Sequence, residues 1–408
     1  MSRRNRPVSP GRSSSRGSRP RGGRFALVLT ASALLLAGCA SVPDKPEIVE
    51  TGDPVVDGNA QLAAARPQDR VMWDYRIAAS ALRAGNDAEA GKRLDEAILS
   101  MGGLITNDAD ARKARSFFSE ESSKTFIGEP YERAMAYYYR GILYWRDGQP
   151  DNARACFRTA QFIDSDAEEN SYKGDYVLFD YLDGLASVKL SADGADAFKR
   201  AQANSHRHKL PAYDESDNVL VFAEFGEGPR KYAGGEYGEQ LKFQVVNSRV
   251  HSAALVIEGR TVKLPAYDDL NYQATTRGGR VMDYILGKKA VFKSTTNTVG
   301  DVALVGAAVA ASNGSRDSDR AAIALGAIGL ISKLASAATT PKADTRAWNN
   351  LPQRLAFAAI KLPAGTHAGT LEFFDAKQQR IDALTRPVTI QVDDASRDTV
   401  VFLSELTR

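Results

Sequence analysis

Hydrophobic and polar positions divide the chain into four stretches. Phe25 to Ala37 is a short apolar run. Residues 39 to about 69 hold no period and carry Pro43, Pro46, Pro54 and Pro67, so they read as a flexible tether. From Val71 a helical period sets in and lasts to about residue 210. After Leu210-Pro211 the apolar residues gather into strand-like runs. These are Val219 to Phe225, Leu241 to Val246, Ala253 to Ile257, Leu355 to Leu362, Thr370 to Phe374, Val388 to Val392 and Thr399 to Leu403. Gly226 to Lys231 reads as a Gly/Pro loop, Glu258-Gly259 as a hairpin tip and Pro363-Ala364-Gly365 as a turn.

Two helical stretches share one template. The first runs Ala78, Ala81, a break at Gly85-Asn86, then Ala90, Leu94 and Ala97. The second runs Tyr137, Gly141, Tyr144, a break at Gly148-Gln149, then Ala153, Phe157 and Ala160. A degenerate third spans about Tyr176 to Ala203, with Gly184, Phe198 and Ala201 as anchors. The small residues let paired helices approach closely, and Leu94, Phe157 and Phe198 fill the seams. This is the spacing of a tetratricopeptide (TPR) repeat; an unrelated helical bundle is the alternative. Stacked hairpins create a concave wall. Helical spacing turns Tyr137, Gly141 and Tyr144 inward, which leaves Tyr138 and Arg140 as candidate groove residues.

A different composition interrupts the β-rich part. Val302 to Ala311 and Ala321 to Ala338 are rich in Ala, Gly and Val. They read as a close-packed helical insert at about residues 300–340, with a membrane-touching or oligomer-forming role as the alternative. Lys333 and the many alanines make a poor membrane span. The expected fold is therefore α+β and multidomain. TPR-like α-helical hairpins over residues 70–210 precede an antiparallel β-sandwich-like domain over 211–408 that carries the Ala/Gly-rich helical insert.

Charge and cysteine usage decide location. Residues 1–24 hold eight arginines and no acid, and the apolar run closes on Leu36-Ala37-Gly38-Cys39. A basic arm, a short apolar core and small residues ending at a cysteine predict a lipoprotein signal peptide over residues 1–38. The Cys39 thiol would carry lipid. Removing eight of the 53 basic residues leaves 45 against 50 acidic ones, so the net charge falls from +3 to −5. An acidic mature chain argues against a nucleic-acid partner. With Cys39 lipidated, Cys156 is the remaining cysteine; it falls in an apolar helical pattern and reads as a small buried residue.

The search for catalytic chemistry returns little. His206-Arg207-His208 is the one histidine cluster, and a solvated hinge explains it better than a metal site. No zinc box, phosphate loop, dinucleotide loop or nucleophile elbow is present. Neither a metal nor a cofactor is expected. Asp344-Thr345-Arg346-Ala347-Trp348 reads either as a lock between the insert and the β-rich part or, if exposed, as a recognition patch made by Arg346 and Trp348.

Three motifs carry a family resemblance: Gly128-Glu129-Pro130-Tyr131-Glu132-Arg133 with Tyr137-Tyr138-Tyr139, then Gly228-Pro229-Arg230-Lys231, then Asp344 to Trp348 with Leu351-Pro352. In these the chain resembles a family of TPR-bearing lipoproteins of Gram-negative bacteria. The resemblance implies attachment to the outer membrane facing the periplasm, which Ala40 after the lipidated cysteine also suggests, and loosely a role in envelope assembly. The resulting expectation is a non-enzymatic adaptor that binds an envelope protein through its helices, Tyr138, Arg140, Arg346 and Trp348 included. The alternatives are an envelope enzyme acting on peptidoglycan or lipid, using His206/His208 or His367, and a self-assembling membrane-associated lipoprotein, a homo-oligomer.

Overall fold

The computed structural model describes residues 48–105, 124–165, 174–205, 208–210, 214–235, 238, 240–246, 248–276 and 343–406. The lipoprotein signal, Cys39, His206 and the Ala/Gly-rich insert lie outside these residues. The described chain is mixed α+β, with eight α-helices and three sheets.

Helix α1 (Pro54–Ala64) lies inside the stretch expected to be a flexible tether, and it corrects that expectation. The Asp53 carboxylate accepts from the Val55 and Val56 N–H groups, and Pro54 supplies the first helical residue. Leu62 is buried, and a Cβ at Gly58 would stand 2.7 Å from Ile77. Three helix pairs follow: α2 (Arg70–Arg83) with α3 (Asp87–Ile105), α4 (Pro130–Arg146) with α5 (Pro150–Asp164), and α6 (Val177–Lys189) with α7 (Ala195–Asn204). The breaks at Gly85 and Gly148 have φ of +72° and +75°, which favours glycine. Close approach is equally literal. A Cβ at Gly141 would stand 2.7 Å from Phe157, and one at Gly184 would stand 2.9 Å from Phe198.

The first sheet takes the order β10–β1–β7–β6, from β1 (Val219–Glu227), β6 (Ala266–Asp269), β7 (Pro352–Ile360) and β10 (Thr399–Ser404). Strand β1 runs parallel to β10 and antiparallel to β7. The second sheet is antiparallel, β5–β4–β8–β9, from β4 (Ser252–Ile257), β5 (Arg260–Leu264), β8 (Gly365–Phe374) and β9 (Arg386–Val392). Strands β2 (Arg230–Gly234) and β3 (Gln240–Gln244) form a separate hairpin, so part of the expected Gly/Pro loop is strand. Helix α8 (Leu270–Thr275) follows β6 directly.

Strand β1 explains how these layers meet. Val219, Val221, Ala223 and Phe225 share a core with Leu255, Leu371, Phe373 and Ile390 of the second sheet. Leu220 and Phe222 belong instead to the helical core, with Tyr138, Phe179 and Phe357. Eight consecutive β1 residues are therefore buried, which is why the strand reads as an unbroken apolar run and not an alternation. Aromatic rings knit this face together: Tyr138 to Phe222 at 6.3 Å, Tyr139 to Phe402 at 6.0 Å and Tyr181 to Phe357 at 5.7 Å between centroids. The described residues from Ile48 onward form one compact unit, and the helical core includes residues on both sides of position 211, reaching into the first sheet.

Phe222→Ala opens a cavity where helices and sheet meet. It is expected to cost about 3–5 kcal/mol in denaturant unfolding, whereas Phe162→Ala at an exposed site on α5 stays within about 0.5 kcal/mol.

Candidate functional site

The seam between the helices and the first sheet gathers polar residues as well as aromatic ones. At its centre is Glu132, in the first turn of α4 and fully buried. Its Oε2 accepts from the Glu129 backbone N–H at 2.7 Å and from Lys231 Nζ at 2.5 Å. Its Oε1 accepts from the Trp348 backbone N–H at 2.7 Å. Lys231 also donates to the Arg346 carbonyl at 3.0 Å, and its ammonium stands 5.3 Å from the Phe126 ring. The side chains of Lys231 and Glu132 are 2% and 0% exposed, so the pair is removed from water. A charge placed this deep needs such partners, because losing one leaves the other uncompensated.

Arg346 extends the network to the start of the helices. It donates to Asp69 Oδ1 at 2.8 Å, to the Gln68 carbonyl at 3.2 Å and to the Lys124 carbonyl at 2.8 Å, and it pairs with Asp344. Helix α2 grips the same segment, since Arg76 donates to the Ala347 carbonyl at 2.7 Å and Asn350 Nδ2 donates to the Arg76 carbonyl at 3.0 Å. Trp348 is 1% exposed and stacks on Tyr75 at 4.3 Å. The recognition patch expected of Arg346 and Trp348 is thereby corrected. Both residues bind their own chain, and they fasten the segment before β7 onto the helices.

Tyr138 is corrected in the same way. It is 1% exposed and packs between Phe179 and Phe222, because the first sheet covers the inner face of α4. Next to it Tyr139 donates to Glu224 Oε2 at 2.6 Å, and Arg83 pairs with Glu224 Oε1 at 2.6 Å. Glu224 lies on the helix-facing side of β1, within the apolar run, and Ser404 Oγ donates to it at 2.7 Å. A third buried carboxylate, Asp268, follows a register shift in β6 and accepts from the Val177 and Leu178 N–H groups at 2.8 and 2.9 Å. It thus caps α6 from the sheet side. Burial pushes its pKa up to about 7, against the pull of those two donors.

Arg140 is placed differently. It lies on the outer side of α4, forked onto Asp95 of α3 at 2.7 and 3.0 Å and stacked 3.6 Å over the Tyr144 ring. Tyr137, Arg140 and Tyr144 are all part-exposed, so the inward and outward assignments of Tyr137 and Tyr138 are exchanged relative to expectation. Leu99 on α3 and Phe162 on α5 are 80% and 75% exposed on the flanking helices. Cys156 is buried as its period predicts, and burial raises its thiol to about 12.

The described histidines do not converge. His208 meets Tyr267 edge-on, while His367 sits in β8 with both ring nitrogens engaged by Glu258 and the Pro363 carbonyl. Among the described residues, no cluster of His, Cys, Asp and Glu could hold a metal ion, and no helix is long and apolar enough to cross a membrane. Sequence reasoning named Glu132 and Lys231 only as motif residues and missed their pairing, and it missed Glu224 and Asp268. For Glu224 a signal existed, since an acid in an unbroken apolar strand must find a buried partner.

Lys231→Met leaves Glu132 buried and unpaired and is expected to cost about 3–5 kcal/mol of unfolding free energy. Lys231→Met with Glu132→Gln recovers part of that loss, and a double-mutant cycle measures the coupling. For Asp268 the folded pKa lies above the ordinary 3.8. The folded state therefore holds its proton longer, and stability falls as pH rises from about 4 through about 7. Asp268→Asn should flatten that decline in denaturant melts taken across the range. No family model, no curated protein and no solved structure matches this chain.

Proposed function

We propose that this protein is a lipid-anchored, non-enzymatic adaptor on the periplasmic face of the outer membrane of a Gram-negative cell. In this reading Cys39 carries the lipid and the helix pairs are TPR-like. The two four-stranded sheets form a sandwich-like support. The partner is an envelope protein, bound on the outer side of the helices.

The observation that carries the reading is the row Tyr137, Arg140 and Tyr144. It remains part-exposed on α4, between α3 and α5, while the inner face is occupied by the chain's own first sheet. Arg140 is held in place by Asp95 and by the Tyr144 ring, so little side-chain freedom is lost on binding. Fixed aromatic and guanidinium groups are the residue types that dominate protein interfaces. The anchor suits the same role. Eight residues lie between Cys39 and Ile48, the first described residue, and the nine extended steps from one to the other reach about 30 Å. The body is thus kept close to the membrane, where an envelope partner is found.

Two experiments test this. Cys39→Ala should abolish lipid labelling and leave the protein as a heavier precursor that keeps residues 1–38. A photo-crosslinking residue at position 144 should yield one dominant protein adduct in cells, and Tyr137→Ala with Arg140→Ala should weaken binding of that protein roughly 30-fold. No adduct from position 144, or an adduct indifferent to the double variant, refutes the outer-face reading.

A further inference from the structure

One end of the second sheet carries an arrangement that packing alone does not require. His367, on β8 and 5% exposed, lies between two acceptors. Its Nδ1 is 2.8 Å from Glu258 Oε1, and its Nε2 is 2.8 Å from the Pro363 carbonyl. A carboxylate and a carbonyl both need a donor. A neutral imidazole has one N–H and satisfies one of them; the imidazolium satisfies both. The geometry therefore selects the charged ring.

The two acceptors belong to two different turns. Glu258 and Gly259 join β4 to β5, with φ of +52° and +68°. Left-handed backbone is costly for a residue with a Cβ, so Glu258 is held there by its surroundings. Pro363 starts the turn between β7 and β8. Of the charged groups nearby, Glu258 is the one that acts on the ring. Strand β9 places the apolar Ile390 opposite His367. Arg260 begins β5 and Lys361 follows the end of β7, joined by an Arg260 N–H to the Lys361 carbonyl at 3.2 Å.

We propose that His367 is a proton-operated latch: as imidazolium it ties the Glu258-Gly259 turn to the Pro363 turn, and on losing one proton it releases one of them. The Glu258 carboxylate and the Pro363 carbonyl both favour the charged form, so the latch holds at acidic pH and loosens as pH rises. The sign follows from linkage. A histidine whose folded pKa is raised adds stability below its ordinary value of 6.5, and that contribution is lost as pH climbs through the folded value. A domain exposed to the external medium would thereby change the mobility of one end while its core stays folded.

The test uses the mature chain in detergent, with histidine imidazole signals followed by NMR and backbone amide exchange followed by mass spectrometry. His367 should titrate above 6.5, and Glu258→Gln should bring its midpoint down. Corrected for intrinsic rates, amides of the two turns should exchange roughly three- to tenfold faster well above the His367 midpoint found by NMR than well below it, the size of one lost hydrogen bond. That difference should shrink in Glu258→Gln, which keeps the strand register. A ring already neutral at pH 6.5, or turn protection that ignores pH in the unsubstituted chain, overturns the latch.

Discussion

A carboxylate withdrawn from water must find its hydrogen bonds within the chain, and Glu132 finds two of them 99 and 216 residues away. Lys231 arrives on β2, and the Trp348 N–H arrives on the segment before β7. These two segments cannot be placed until α4 is placed, and α4 cannot bury Glu132 until they arrive. The mutual dependence makes the helix–sheet joint cooperative. Arg346 adds a second fastening, to Asp69 and the Gln68 carbonyl at the start of α2. Stacking of Trp348 on Tyr75 fills the space between the two.

The same joint accounts for the fate of the groove. Helix pairs of this spacing bury one side and leave a concave wall. Here Phe222, Phe357 and Phe402 of the first sheet reach that wall and meet Tyr138, Tyr181 and Tyr139. Burial of each such ring contributes about 1.5–3 kcal/mol. The covering sheet fills the inner face, and Arg140 and Tyr144 are left part-exposed on the outer side.

Much of the fold was legible because period and punctuation are local. Gly85, Gly148 and the Gly141/Phe157 approach followed from spacing, and the strands β1, β4, β7 and β9 followed from apolar runs. Helix α1 was legible too, in Asp53-Pro54, but four prolines in the stretch read as a tether. The candidate site was less legible, because contact between distant segments leaves no period. The resemblance motifs around Glu132, Lys231 and Arg346 lie far apart in the sequence, and the structure joins them into one buried node. Tyr138 and Tyr137 were exchanged for a related reason. Which side of a helix is inward depends on what covers it, and the cover begins 80 residues downstream of Tyr139, at Val219.

The claim on which everything else rests is that helices and sheet form one cooperative body with a sealed inner face. Native-state amide exchange, measured in low denaturant, tests it directly. The account predicts that α2, α4, α6 and β1 open together, with the same free energy and the same denaturant dependence. Helices that open at lower free energy while β1 stays protected would show that the groove can be uncovered, and would contradict it.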